Sequence, residues 1–277
     1  MERRAWWCLV QGEIFEGDSM GEVNGQSESR SGGNLREWLV FVFVTAVIVP
    51  HLTFAAERDQ SCVDCKLPEQ MGSTDPMLAR LVREATSVSL DEDETYYSAK
   101  SVDLYTDAER TMQAGMLQIA TAVIVLETQG DSVKLAIPSW RKEKGFGRML
   151  YDDLGQNISN AILDKDVAQD EALIETQESE VVDDLTGLPW AKVNVELWAE
   201  KGAYLTNRDA LWETAGQIYR DACSVCHTEP APEHFDANTW PAMFSGMVGF
   251  TNMSAGTQGL VLKYLQTHSS DYVDGTH

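Results

Sequence analysis

"ACSVCHTEPAPEHF", residues 222–235, is the one place in the chain where two cysteines are followed directly by a histidine. Cys223, Cys226 and His227 admit three chemistries: a metal knuckle, a redox dithiol, or a covalent anchor for haem. Each asks for a different fold around it. A structural zinc site draws about four Cys or His ligands, usually two from each of two knuckles. The second pair here, Cys62 and Cys65, lies about 160 residues upstream, across a different domain, which weakens zinc. A thioredoxin-like dithiol opens a helix after a strand, whereas this C-x-x-C closes a helical stretch. C-x-x-C-H is the attachment pattern of c-type haem: two thiols add across the two vinyl groups, and the adjacent imidazole reaches the iron. The spacing fits this third chemistry best.

Outward from the motif the pattern is helical. Leu211, Ala215, Ile218, Tyr219 and Ala222 recur at spacings of 3, 4 and 7 and predict a helix from about Asn207, capped by Asp209, that delivers C-S-V-C-H. Asn238 is the predicted cap of a second helix over "TWPAMFSGMV", with Pro241 tolerated in its first turn. Ser254 is the predicted cap of a third, "AGTQGLVLKYLQTH", whose apolar face is Leu260, Val261, Tyr264 and Leu265.

Upstream, from about Val102 to Leu205, short strands take over. "TAVIVLE" (121–127) and "SVKLAIPSW" (132–140) flank a Gly-containing turn and read as a β-hairpin; "GRMLY", "NISNAIL" and "WAKVNVELW" continue as strands. Their spacing predicts a small barrel or sandwich. "ETQESEVVDD" reads as a solvated acidic loop and "WRKEKGFGR" as a charged hairpin tip. Residues 56–100 read as an extended lead-in with a short helix over 76–86.

The totals bound the partners. A formal charge of −23 over 277 residues argues against nucleic acid, because phosphate binding relies on Lys and Arg. The apolar run Trp38–Val49 follows Arg36 and ends at Pro50, short of the ~20 residues a spanning helix needs. With the small-x-small site Thr53-Phe54-Ala55, residues 1–55 read as an export signal peptide; an uncleaved N-terminal anchor is the alternative. Export suits the haem reading, because c-type haem is attached outside the cytoplasm.

"GQIYRDACSVCH" resembles the first helix of class I cytochromes c, with Gly216 and Tyr219 in the places of its small residue and its aromatic. "LVLKYLQTH" resembles the closing helix, whose aromatic–Leu pair, here Tyr264 and Leu265, crosses the first helix at the small residue. Over about 101–270, "LYTDAERTMQAGML…VIVLETQGDSVKL", "RMLYDDLGQNISNAIL" and "CHTEPAPEHFDANTWPAMFSGMVGFTNMS…LVLKYLQTH" resemble the C-terminal monohaem region of a wider family. These are the pentahaem c-type cytochromes of periplasmic trimethylamine-N-oxide and dimethyl sulfoxide reductase systems. The resemblance implies an SH3-like β-barrel domain (101–205) followed by an all-α class I-like cytochrome c domain (206–277), with one haem c per chain. It also implies a periplasmic electron carrier whose partner is a molybdenum-containing terminal reductase or a membrane quinol-oxidising cytochrome. No small-molecule substrate and no catalytic residue are expected. Such cytochromes also carry a membrane-anchored tetrahaem domain, and a single C-x-x-C-H gives no ground for quinol oxidation here.

On this reading Cys223 and Cys226 hold the haem and His227 is the proximal iron ligand. Trp240, Met243, Phe244 and Met247 share one helical face; the family pattern W-P-x5-M points to Met247 as distal ligand, and Trp240 is expected to pack on the haem edge. Met253 is the next candidate, and His234 would give bis-His ligation through a tight loop. All these methionines could equally be core fillers. "CVDCK" (62–66) reads as a disulfide in an oxidising compartment, or as a haem motif with lysine in the place of histidine. Two rival functions stand beside the carrier: a redox-responsive interaction protein whose β module binds a reductase or sensor, and a thiol oxidoreductase using Cys62 and Cys65.

Overall fold

The two-residue link Gly130–Asp131 turns strand β4 (Ala122–Gln129) into β5 (Ser132–Lys142). Gln129 faces Ser132 across the turn, and Gly130 supplies the left-handed φ of +57° that so short a link needs. This is the predicted hairpin, and the sheet grows from it. The structure, a computed structural model, describes residues 75–272. The expectations for the signal peptide and for Cys62, Cys65 and Lys66 lie outside them.

Eight more strands complete the sheet: β1 (Thr95–Ser98), β2 (Val102–Tyr105), β3 (Gln113–Leu117), β6 (Met149–Tyr151), β7 (Ser159–Leu163), β8 (Ile174–Val182), β9 (Pro189–Glu200) and β10 (Tyr204–Leu205). All pairings among the described strands are antiparallel. Strands β5, β6, β7, β3, β2 and β9 bond in that order, and a long β5–β9 ladder from Ser132↔Glu200 to Lys142↔Trp190 closes the ring. The predicted small barrel is therefore a six-stranded one. β9 shows why it closes. Val193, Val195, Leu197 and Ala199 are buried, while Lys192, Asn194, Glu196 and Trp198 between them are half-exposed. That period of two puts one face in the core. β8 extends the ring beside β9; β4, β1 and β10 extend it beside β5.

Two stretches differ from the sequence reading. "ETQESEVVDD" is not a loop: most of it is strand β8, paired to β9 with two register shifts. It is an edge, and an edge strand is protected by charges and bulges rather than by apolar alternation, so no pattern announces it. "TYYS", inside the expected lead-in, is strand β1. Its Tyr96 is buried, with the hydroxyl accepting from the Asp91 N–H at 2.8 Å.

The helices fall where the periodicity puts them. Helix α1 (Pro76–Ala85) buries Leu78, Leu81 and Ala85 and is capped by Asp75, whose Oδ1 accepts from the Met77 N–H at 2.8 Å. A single turn, α2 (Lys165–Ala168), follows β7. Then come α3 (Asp209–Cys223), α4 (Trp240–Val248) and α5 (Ala255–Thr267). Ser254 caps α5 as expected. The other two expected caps differ: the residues at the cap positions are Arg208 and Thr239, neither with a side-chain cap bond, and an Asx side chain lies just upstream of each. Asn207 Oδ1 accepts from the Asp209 N–H at 2.6 Å, making Asp209 the first helical residue. Asp236 takes the role expected of Asn238, accepting from both the N–H and the hydroxyl of Thr239, and these bonds hold its carboxyl below the usual carboxylate range.

Barrel and helices belong to one compact unit. A shared core crosses the expected boundary at residues 205–206. Leu78 and Leu81 of α1, Ile119 and Leu205 of the sheet region, Leu211 and Ala215 of α3, and Leu260 of α5 pack together. Among the described residues, no helix is long and apolar enough to cross a membrane.

Candidate functional site

Helix α3 presents the motif at its C-terminal end. It carries Asp209 in its first turn and Arg220 in its last, both favourable to the helix dipole, and buries Leu211, Ala215, Ile218 and Tyr219 on one face. Its last residue is Cys223, half-buried. Cys226 and His227 follow in an exposed turn, and neither cysteine is in a disulfide. Burial, and then the charge of Glu229, push the Cys223 thiol up from its ordinary pKa. A thiol–disulfide catalyst needs the opposite shift, since the thiolate is the nucleophile. Among the described residues, no three His, Cys, Asp or Glu side chains converge into a metal-binding group. The His227 Nδ1 lies 2.8 Å from the Thr228 carbonyl oxygen. With the proton on Nδ1, that bond orients the ring and leaves Nε2 as the bare donor, the usual outer bond of a metal-ligating histidine.

Beside the motif stands an apolar wall. Ile218 and Tyr219 of α3, Trp240, Phe244 and Val248 of α4, and Val261 and Leu265 of α5 form one cluster, with Cys223, Met247 and Met253 half-buried against it. The structure thus brings the first thiol together with both leading candidate methionines. It does not bring in the rest. Met243 is exposed on α4, and His234 is exposed in a 3-10 turn (Pro232–His234), its ring 4.5 Å from that of Phe235.

Two aromatic residues of the wall do something the sequence did not announce. The fully buried Trp240 packs edge-on against Phe235 and Tyr219, and its indole N–H donates to the Pro232 carbonyl at 2.8 Å. Tyr219, its phenol pushed well above the ordinary pKa by burial, donates to the Pro230 carbonyl at 2.8 Å. Together they tether the segment just after His227. The two prolines, having no N–H of their own, were the available signal.

Gly216 lies where α3 meets α5. A Cβ there would stand 3.1 Å from the Tyr264 hydroxyl and 3.2 Å from its Cζ, closer than side chains comfortably pack. The helices approach because the residue is glycine. The donor set of two thiols, an imidazole nitrogen and a thioether beside an apolar wall fits a haem c. So does the apolar side chain of Val225 between the cysteines, 78% exposed.

Residues 90–204, the barrel, match the family described as the TorC third cytochrome c domain; the C-x-x-C-H motif lies beyond that match. The chain is 31% identical over 225 residues to the cytochrome c-type protein TorC of Escherichia coli K12, covering 80% of this chain and 57% of that protein. The cytochrome c-type protein TorY of Haemophilus influenzae is 22% identical over 225 residues, 79% of this chain and 58% of its own. TorY of Escherichia coli O157:H7 is 23% identical over the same length. The chain thus spans little more than half the length of these relatives. No solved structure matches it.

Proposed function

We propose, from the premise that this chain carries a TorC-type cytochrome c domain and is homologous to the TorC and TorY cytochromes over about 80% of its length, that it is a periplasmic electron carrier. Cys223 and Cys226 would hold one haem c covalently, and His227 and Met247 would be the residues that bind its iron. The chain's partner is a redox protein of a trimethylamine-N-oxide reductase system, either the terminal reductase or the membrane cytochrome that supplies electrons. The observation that carries this reading is the meeting of Cys223, Met247 and Met253 on one apolar wall at the end of α3.

When bound, the haem supplies one-electron ferrous–ferric chemistry, and Met/His ligation raises its potential. The chain's residues do the rest. The end of α3 presents the two thiols, and the Thr228 carbonyl orients the His227 ring. Tyr219 and Trp240 fix the segment that follows. Phe244, Val248, Val261 and Leu265 exclude water, which keeps the reorganisation that accompanies charge transfer small. Met247 is favoured over Met253 because a regular helix holds it, whereas Met253 sits in the link before α5.

Intact mass of the exported protein tests the assignment. One haem adduct per chain is expected; two would place a second haem on "CVDCK", and none would overturn the reading. Met247→Ala should abolish the near-infrared sulfur-to-iron band of the ferric protein. A band that survives moves the ligand to Met253 or Met243.

A further inference from the structure

We infer that the barrel sets the wall carrying Met247 before any haem is attached, with Lys263, Gln266 and Asn238 as the positioning residues. The inference rests on the haem reading above for its purpose, but not for its observations. Lys263, on α5, is buried, and its ammonium donates to Thr121 Oγ1 at 2.8 Å and Asn160 Oδ1 at 2.9 Å. Both acceptors are barrel residues, Thr121 just before β4 and Asn160 in β7. They are themselves joined: the Thr121 hydroxyl donates to the Asn160 carbonyl at 3.1 Å, and the Asn160 amide donates to Ser139 Oγ of β5 at 3.3 Å. One network therefore runs from α5 to the residue that precedes β4 and into β7 and β5. Three residues on, the Gln266 amide donates to the carbonyls of Asn157, in the β6–β7 link, and Ala237, just before α4. Asn238 completes the clasp. Its Oδ1 accepts from the Asn157 N–H at 2.7 Å, and its Nδ2 donates to the Gly155 carbonyl at 2.9 Å.

A buried ammonium is tolerated only where its donors are satisfied. Lifting α5 off the barrel would strand the Lys263 charge and its two acceptors in one movement. The next residue, Tyr264, is the one that meets α3 at Gly216, so the helix pinned to the barrel also fixes how α3 crosses it. The motif itself is different. Among the described residues, no hydrogen bond links 223–228 to the barrel. The wall is held and the thiols are free, which is the arrangement that lets a haem be attached to a preset surface. Preorganisation of this kind lowers the ordering that attachment must bring about.

Hydrogen exchange on the full chain with Cys223→Ser and Cys226→Ser, which leaves no thiol at the motif, tests this. The amides of α4 and α5 should exchange more than about a hundredfold slower than in an unfolded chain. Adding Lys263→Met or Asn238→Ala should speed them about tenfold or more, while amides of β5 and β9 keep their rates. A loss of general stability would speed both sets alike. If Lys263→Met prevents folding, Asn238→Ala, at an exposed side chain, carries the test. Protection below a hundredfold at α4 and α5 in the thiol-free chain overturns the inference, because haem would then be what holds the wall. Unchanged rates in the positioning variants overturn it too. Failure of the haem reading is visible separately, as a missing adduct on the unaltered chain.

Discussion

The barrel and the helical region are stabilised in different ways. The barrel closes on itself: its ladder of backbone hydrogen bonds is continuous, and Leu104, Leu117, Leu135, Ile137, Leu150, Leu163 and Leu197 fill an interior that needs nothing from outside. The helical region has no such interior. Its own cluster is small and edged by half-buried Cys223, Met247 and Met253, and its other apolar face, with Leu211, Ala215 and Leu260, packs in the core shared with the sheet region. Local and long-range contacts thus divide unevenly along the chain. The part without chemistry is self-sufficient, and the part with chemistry leans on it.

Trimming the chain to residues 206–277 is the harshest way to break that comparison. It would uncover Leu211, Ala215 and Leu260 and leave Lys263 without either acceptor. The fragment should lose its cooperative thermal transition, followed by circular dichroism without haem; a sharp melt would mean that the helices need no barrel. A milder cut is Leu260→Ala, fully buried in the shared core. It should destabilise the helical region by about 2–5 kcal/mol in a denaturant titration, with helix signals lost at lower denaturant than strand signals. One shared transition would mean that the barrel leans on the helices as much as they lean on it.

Acidity gives the next test. Burial pushes the Lys263 ammonium down to about 8 from 10.5, with the Asp152 charge opposing and Arg208 assisting. Between those values the unfolded chain holds the proton more often than the folded one, so stability rises with pH across that window, by at most about 3 kcal/mol. Above about pH 10 the tyrosines pull the other way. The buried Tyr204 phenol is pushed far upward, so the unfolded chain ionises first and stability falls. The rise is therefore read below pH 10. Lys263→Met should flatten it; a slope unchanged in the variant would assign it to other groups.

The same contrast governs what could be read from the sequence. β9 alternates buried and half-exposed residues because one face of it lines the barrel, β4 and β5 are legible as β-branched runs around a Gly-containing turn, and α3 and α5 repeat at 3.6 because each buries one stripe. The C-x-x-C-H motif is legible because its chemistry fixes its spacing. β8 was hidden because a charged edge shows no alternation. The starts of α3 and α4 are hard to place because each offers two Asx side chains, Asn207 with Asp209 and Asp236 with Asn238, and local sequence does not rank them. The clasp was invisible for a deeper reason. Lys263, Gln266 and Asn238 are residue types that usually face water, and their partners in the sheet region lie 81 to 142 positions away.

The smallest effect expected is at Trp240, and it separates the two regions most finely. Trp240→Phe keeps a ring against Phe235 and Tyr219 but removes the indole N–H that satisfies the Pro232 carbonyl. Pro232 is only half-buried, so water can take over part of that bond. The loss should therefore be near the lower end for a stranded acceptor, about 1 kcal/mol, once the smaller ring's lost packing is included. It should also be local, because among the described residues no hydrogen bond joins the Pro232 carbonyl to the barrel. Amide exchange should quicken in the segment 230–235 and in the first turn of α4, while β5 and β9 stay as they were. If the variant instead lowered the stability of the barrel strands by the same amount, the tether would belong to the global core. The claim that the motif end of the molecule is held separately would then fail.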